Sequence, residues 1–252
     1  MKIVVLLKKV PDLVEDLEVD ASGKALDTDD IKFKLNEYDD HALEEAILLK
    51  ESGAADEVVA MAVDGADVDK MLFTAIAKGA DKAEKLIDGN PADSHQLGKA
   101  FANVLGSESY DLVFTGVQSV DDRDGQMGPI LASYLNVPCV SVVSGVSVSV
   151  SVSDGTAVVH KEYSGGMMGE FEVDLPAVLG IQAAKQAPRY APVSKIKQVQ
   201  ETAAIKEVSM GDLGSGAGSS VASMAPPEKG VGAKILDDVE ALMDVLKDKG
   251  AL

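Results

Sequence analysis

The sequence predicts an α/β fold: a twisted, mostly parallel sheet with helices on both faces, followed by antiparallel hairpin strands and an extended C-terminal arm. Two observations carry this. Short, continuously apolar runs alternate with helical segments over the first 135 residues, the pattern of parallel strands buried on both faces. Beyond them the pattern changes to a period of two, the mark of half-exposed strands.

The elements follow in order. Lys2–Leu7 reads as the first buried strand. Asp20–Lys34 is polar, with Ser22-Gly23 as a turn and a candidate hairpin. A helix runs to about Glu51, capped by Asp39 or Asp40, with Leu43, Ala46, Ile47 and Lys50 on one face and Gly53 placed to end it. Glu57–Val63 is the second strand, and a helix over about Val68–Ala77 follows. Lys82–Ile87 is a weaker third strand, and Ser94–Leu105 is a helix with Leu97, Ala100, Phe101 and Leu105 on one side. Asp111–Thr115 is the fourth strand. A glycine-bearing loop then leads to a helix from about residue 130, with Pro129 tolerated in its first turn. Strand, glycine loop and helix start together have the shape of an anion or nucleotide site, because backbone N–H groups come close and the helix N-terminus favours negative charge; an ordinary βα turn has the same shape. Ligands in such sheets bind at the carboxyl ends of the strands, where the strand order switches. The loops after Leu6, Val63 and Thr115, and the segment Leu35–Tyr38, are expected on that edge.

In the second half, valines at 146, 148, 150 and 152 alternate with serines, Asp154-Gly155 is a turn signal, and Ala157–His160 is the partner strand. Gly165, Gly166 and Gly169 are read as a second turn leading to Glu170–Val173, and Ala177–Ile181 as the strand that closes the sheet. From about Pro188 the chain stops resembling a core, and residues 201–229 read as extended chain. A terminal helix follows, with Asp237 and Glu240 as a capping box and Val239, Leu242, Met243 and Leu246 as an apolar stripe. So short a helix cannot bury its stripe alone, so the arm is expected to dock, preferably on another chain.

Composition sets limits. The 252 residues are 46% hydrophobic but only 4% aromatic, without tryptophan, so aliphatic side chains and methionines fill the core. A formal charge of −19 argues against nucleic acid and anionic membranes as partners. The single cysteine, Cys139, excludes an internal disulfide and reads as a buried structural thiol. His41, His95 and His160 lack metal-type spacing, and no metal site is expected. Without a signal peptide or membrane span in view, a cytoplasmic location is the expectation. The loop lacks the Gly-Lys-Ser/Thr of a phosphate loop, the spacing of an EF-hand and a strict Gly-x-Gly-x-x-Gly.

Three pieces, Val4–Asp12, Gly116–Gly128, and Leu175-Pro-Ala-Val178 with Pro188-Arg-Tyr-Ala191, resemble the β subunit of bacterial electron-transfer flavoproteins. The resemblance runs over essentially the whole chain. It implies an adenine-nucleotide α-hydrolase-like domain over 1–190, and a recognition loop and C-terminal arm over 191–252 whose terminal helix docks on an α subunit. It implies AMP on this chain, FAD held mainly by the α partner, no catalytic residues here, and electron transfer from acyl-CoA or similar dehydrogenases to a downstream acceptor. Carried over by position, the nucleotide would lie against Leu6, Asn36, Glu37, Tyr38, Asp39, Val63, Gly116, Gln118, Asp121, Asp122, Arg123, Asp124, Gly125, Gln126, Met127 and Gly128, with the N–H groups of Asp124 to Met127 facing the phosphate. Tyr38 matches an aromatic position that approaches the partner's flavin. Arg189, Tyr190, Ala191, Pro192, Val193, Ser194 and Lys195 match the loop that docks on the dehydrogenase, with Val193 where the family has leucine.

The loop departs from the family pattern at Gly125-Gln126-Met127. Gln126, Gly128 and Pro129 resemble the electron-bifurcating branch, which holds a second FAD in place of AMP. Asp121-Asp122 resembles the AMP type, and Arg123 matches neither and offers a charge to an additional phosphate. A nucleotide hydrolase or sensor on the same kind of sheet is the remaining alternative. The hydrolase would use acids such as Asp121, Asp122 and Asp124, but its phosphate loop is absent; a sensor leaves the long arm unexplained.

Overall fold

The computed structural model describes residues 1–121, 123–148, 155–216, 220–228, 230 and 232–252. It holds two compact units: Met1–Asp16 with Thr28–Ser220, and Leu17–Asp27 with Val221–Leu252.

Among the described residues, the first unit is built on a nine-stranded sheet. Its strands are β1 (Lys2–Leu6), β4 (Glu57–Val63), β5 (Lys82–Ile87), β6 (Leu112–Gly116), β7 (Cys139–Val148), β8 (Thr156–Tyr163), β9 (Met167–Asp174), β10 (Ala177–Ile181) and β11 (Ile205–Ser209), in the order β11-β5-β4-β1-β6-β10-β7-β8-β9. The first seven in that order run parallel, and β7, β8 and β9 pair antiparallel. A separate two-stranded sheet joins β2 (Lys9–Pro11) to β3 (Phe33–Leu35). Strands β1, β4 and β5 step outward on one side, and the chain then crosses back to place β6 on the other side of β1. The strand order therefore switches between β1 and β6, with Val5 beside Phe114.

Helices cover both faces. On one side α1 (Glu37–Glu51) and α2 (Val68–Lys78) bury Leu43, Ile47 and Leu72 against Ile3, Val5 and Phe114. On the other, α3 (Ser94–Leu105) and α4 (Met127–Leu135) bury Phe101, Val104 and Leu131 against Val4, Leu6 and Val113. Alternate residues of one strand thus feed opposite layers, as the pleat requires, and explain why these strands are apolar throughout. Connections of this kind start their helices at the carboxyl ends of the strands, so α1 to α4 all begin on one edge.

Several expectations are corrected. Asp39 and Asp40 do not cap α1: its N-cap is Asn36, without a side-chain cap bond, and Asp39 is buried inside the first turn. Ala177–Ile181 does not close the sheet but lies in its interior, between β6 and β7. Gly169 sits within β9 and not in the turn. The polar segment Asp20–Lys34 makes only the isolated bridge Val19–Leu26, and its end, β3, pairs with β2. The alternating valines and serines enter β7 as far as Val148, and 149–154 lie outside the described residues.

The largest correction is after Pro188. The chain there forms α5 (Val193–Thr202) and then β11, a parallel edge strand beside β5. These hid from pattern reading because α5 buries none of its residues and β11 carries Lys206 and Glu207 on an edge. The second unit holds α6 (Val239–Asp248), capped by Asp238, which accepts from the Ala241 N–H at 2.8 Å, and not by Asp237.

Candidate functional site

At the switch between β1 and β6 a cavity of about 700 Å³ opens on the edge where α1 to α4 begin. Its walls come from Leu6–Lys9 after β1, Val63–Ala66 after β4, Asn90–Ser94 before α3, and Thr115–Ser119 with Asp121, Asp124, Gly125 and Met127 after β6. Phe33, Asn36 and Asp39 close one side.

Asp39 ties the edge together. Its Oδ2 accepts from the Lys8 N–H and its Oδ1 from the Gly116 N–H, both at 2.9 Å, so one carboxylate in the first turn of α1 fixes the ends of β1 and β6. Burial pushes its pKa up to about 7, against the opposing pull of Asn36, the two N–H groups and the Lys8 charge. This contact is why residue 116 is glycine. An added Cβ would stand 2.4 Å from Asp39 Oδ1, 2.7 Å from Tyr38 Cβ and 2.9 Å from Asp39 N.

Asn36 donates through Nδ2 to Gln118 O at 2.9 Å, and its own N–H donates to Lys8 O. Its Oδ1 is buried without a hydrogen-bond partner among the described residues, as is Thr115 Oγ1. Buried polar atoms normally find partners, and these two orphans belong to residues that line one cavity. Lys8 Nζ is engaged by Ser119 Oγ at 3.0 Å and Asp121 Oδ1 at 2.9 Å. Burial pushes the Asp121 carboxyl up, but hydrogen bonds to it from Ser119 and Lys8 and the Lys8 charge outweigh that and hold it below the usual carboxylate range. Asp124 accepts from Ser94 Oγ at 2.5 Å and from the Gln126 N–H at 3.0 Å, which straps the loop to the start of α3. The backbone turns through left-handed conformations at Arg123 and Gly125.

Of the residues expected at a nucleotide, Leu6, Asn36, Asp39, Val63, Gly116, Gln118, Asp121, Asp124, Gly125 and Met127 come together around this cavity. Glu37 and Gln126 are exposed, Arg123 is exposed and off the wall, Tyr38 is half-buried behind Gly116, and Gly128 is buried in the first turn of α4. Asp122 lies outside the described residues. The Gln126 N–H, expected to face a phosphate, is taken by Asp124. Sequence reading missed Lys8, Lys9, Phe33, Ser94 and Thr115. For Lys8 and Thr115 a signal existed, since each stands at the carboxyl end of a strand beside the switch.

In the other expected surface, Arg189 is anchored: its Nε meets Glu44 Oε2 at 2.9 Å and its Nη1 meets Glu51 Oε1 at 2.5 Å. Ala191 is buried, while Tyr190 and Val193 are 80% and 60% exposed. Pro192, Ser194 and Lys195 are also exposed, around the start of α5. Cys139, expected to be buried, is half-buried at the start of β7. Among the described residues no group of three or more His, Cys, Asp or Glu is placed to hold a metal, and no helix is long and apolar enough to cross a membrane.

Comparison with known proteins follows the same lines. A family profile described as "Electron transfer flavoprotein domain" matches residues 24–212. A protein named electron transfer flavoprotein subunit beta, from Methylophilus methylotrophus, is 40% identical over 91% of this chain and 90% of its own length. The chain belongs to the electron-transfer flavoprotein β-subunit family. Similarity extends to the mitochondrial β subunit of Oryza sativa subsp. japonica, 33% identical over 99% of this chain and 98% of the relative. The human β subunit is 28% identical over 100% of this chain and 99% of its own length. The family profile spans α1 to β11, so the strand and helix that pattern reading missed lie inside the matched region.

Proposed function

We propose that this electron-transfer flavoprotein β subunit binds an adenine nucleotide, AMP, in the switch-point cavity and clasps an FAD-bearing α subunit. The pair would carry electrons from a flavin dehydrogenase, such as an acyl-CoA dehydrogenase, to a downstream acceptor. The observation that carries the reading is the cavity wall. Two helices, α1 and α4, begin there without side-chain caps, and beside them stand Asn36 Oδ1 and Thr115 Oγ1, which have no hydrogen-bond partner among the described residues. A nucleotide supplies what these groups lack: hydroxyl or amine donors for the amide oxygen, and phosphate oxygens for helix N–H groups.

The same residues fit AMP as a structural ligand. Leu6, Val63 and Met127 offer apolar contact, Asn36 offers polar specificity, and the first turn of α4 offers N–H groups. Catalytic side chains are not required of this chain. The FAD, held mainly by the α subunit, supplies the redox chemistry when bound. This chain contributes binding and orientation: Tyr38 on the partner side of the site, residues 189–195 as the dehydrogenase contact, and residues 191–252 as the arm whose helix α6 packs on the α subunit. The exposed Val239, Leu242 and Met243 of α6 suit that role. Val193 has one methylene fewer than the family's leucine, worth about 0.8 kcal/mol when fully buried, which favours a weaker or different dehydrogenase contact.

The test is functional. The purified αβ complex is mixed with a reduced acyl-CoA dehydrogenase and bleaching of its flavin absorbance is followed. Transfer that weakens on Tyr190→Ala and Val193→Ala supports the reading; transfer indifferent to both removes the assigned docking segment.

A further inference from the structure

We infer that Glu44 is a positioning residue: with His41 and Glu45 it forms a rail along α1 that holds the main chain of residues 184–189 and so presents Tyr190 and Val193 to the flavin dehydrogenase. The inference rests on the reading of residues 189–195 as the dehydrogenase contact and deepens it by naming what sets the shape of that contact.

Glu44 and Glu45 are both buried, in a helix whose core-facing residues are otherwise mostly apolar. A buried carboxylate is costly unless hydrogen bonds satisfy it. His41, Glu44 and Glu45 stand three and four residues apart, so they share one stripe of the helix, and Glu51 continues it about two turns beyond Glu44. The chain that leaves β10 meets this stripe. Residues 184–191 form neither helix nor strand, so their N–H groups need other acceptors. The Ala184 N–H donates to His41 Nδ1 at 3.2 Å, the Lys185 N–H to Glu45 Oε2 at 2.9 Å, and the Arg189 N–H to Glu44 Oε2 at 3.0 Å.

Glu44 takes further bonds. Gln186 Nε2 donates to its Oε1 at 2.8 Å, Arg189 Nε donates to Oε2 at 2.9 Å, and Arg189 Nη2 donates to Oε1 at 2.9 Å. Burial pushes the Glu44 carboxyl up, but the bonds from Arg189 and Gln186 outweigh that and hold it below the usual carboxylate range. All of these partners are donors, so the place suits a group that accepts through both oxygens. Glutamine at 44 would turn its NH2 toward a donor whichever way it faced. The consequence falls on the next residues. Arg189 is pinned and Ala191 is buried, while Tyr190 between them stands exposed, as does Val193. Side chains held out on an ordered backbone meet a partner without losing backbone freedom at contact. Ordering even one residue at that moment weakens affinity about tenfold.

The test measures turnover of an acyl-CoA dehydrogenase, with its acyl-CoA substrate, against varied concentrations of the purified αβ complex as electron acceptor. Glu44→Gln should raise KM for the complex about tenfold and change kcat less than about twofold, with FAD and AMP per heterodimer as in wild type. Hydrogen exchange of the complex should show the amides of 184–191 speeding in the variant while those of β10 do not. Arg189→Lys keeps the charge and loses the guanidinium fork, so it should raise KM in the same direction, and it carries the test should Glu44→Gln yield no complex. KM unchanged in these variants, whether or not exchange speeds, overturns the inference and leaves docking through 189–195 standing. So does a rise in KM that comes with a fall in kcat and faster exchange throughout the chain. No transfer to the wild-type complex, or transfer indifferent to Tyr190→Ala and Val193→Ala, overturns both.

Discussion

Replacing Gly116 by alanine probes the junction on which the cavity depends. The new Cβ would stand 2.4 Å from Asp39 Oδ1 and 2.9 Å from Asp39 N, with Tyr38 Cβ at 2.7 Å. Two of those three atoms belong to the main chain or its first carbon, so the clash is not relieved by turning a flexible side-chain end. The start of α1 must withdraw from β6, and the Gly116 N–H to Asp39 bond is strained or lost. Overpacking costs about 1–3 kcal/mol and a lost hydrogen bond about 0.5–1.5 kcal/mol, together about 2–4 kcal/mol. For a chain of this size the melting temperature should fall on the order of 10 °C. Chemical unfolding followed by circular dichroism, with AMP titration of the αβ complex, reads both stability and the cavity. Gly65→Ala is the control, because its Cβ would meet only Val68 Cγ2 at an ordinary 3.6 Å on the same cavity rim. A Gly116→Ala protein within about 0.5 kcal/mol of wild type, the range of ordinary surface substitutions, would refute the reasoning, especially with AMP affinity unchanged.

Three further outcomes are expected. Arg189→Ala leaves the buried Glu44 carboxylate without its main partner and should cost about 2–4 kcal/mol, while Glu44→Gln in that background should recover part of it; a loss below about 0.5 kcal/mol contradicts the pairing. Asp39 has a folded pKa raised to about 7, so the folded state holds its proton between about pH 4 and 7 where the unfolded chain does not. Its contribution is therefore most favourable below pH 4 and declines as pH rises to 7, by roughly 4 kcal/mol. The stability difference between wild type and Asp39→Asn should drift accordingly over that window, and parallel profiles would exclude it. Burial raises the Cys139 thiol pKa despite a hydrogen bond with Ser141, so alkylation at pH 8 should be slow in the folded protein and fast in denaturant; equal rates would place the thiol in free solvent.

Much of the parallel half was legible because its signals are redundant. Continuous apolar strands such as Glu57–Val63 and a helix such as Ser94–Leu105 are specified by burial on both faces and by 3.6-residue spacing. The second half was legible only where it alternates. Helix α5 gave no signal because none of its residues is buried, and β11 because an edge strand can carry charge outward. At the site, the glycine loop and Asn36 could be read from strand–loop–helix order and from family resemblance. Asp39 was taken for a cap because acids near a helix start usually are; its link to two strand ends is a tertiary contact that spacing does not encode. Thr115 was read as the last strand residue, and only the absence of a partner among the described residues singles it out.

The central claim, that the switch-point cavity of this β subunit holds an adenine nucleotide, is tested most directly by a nucleotide census. The αβ complex is purified, denatured and its released nucleotides separated and counted per heterodimer. One FAD with one AMP is the predicted result. Two FAD and no AMP would move the chain to the bifurcating branch of the family, and one FAD with no second nucleotide would contradict the account of the cavity.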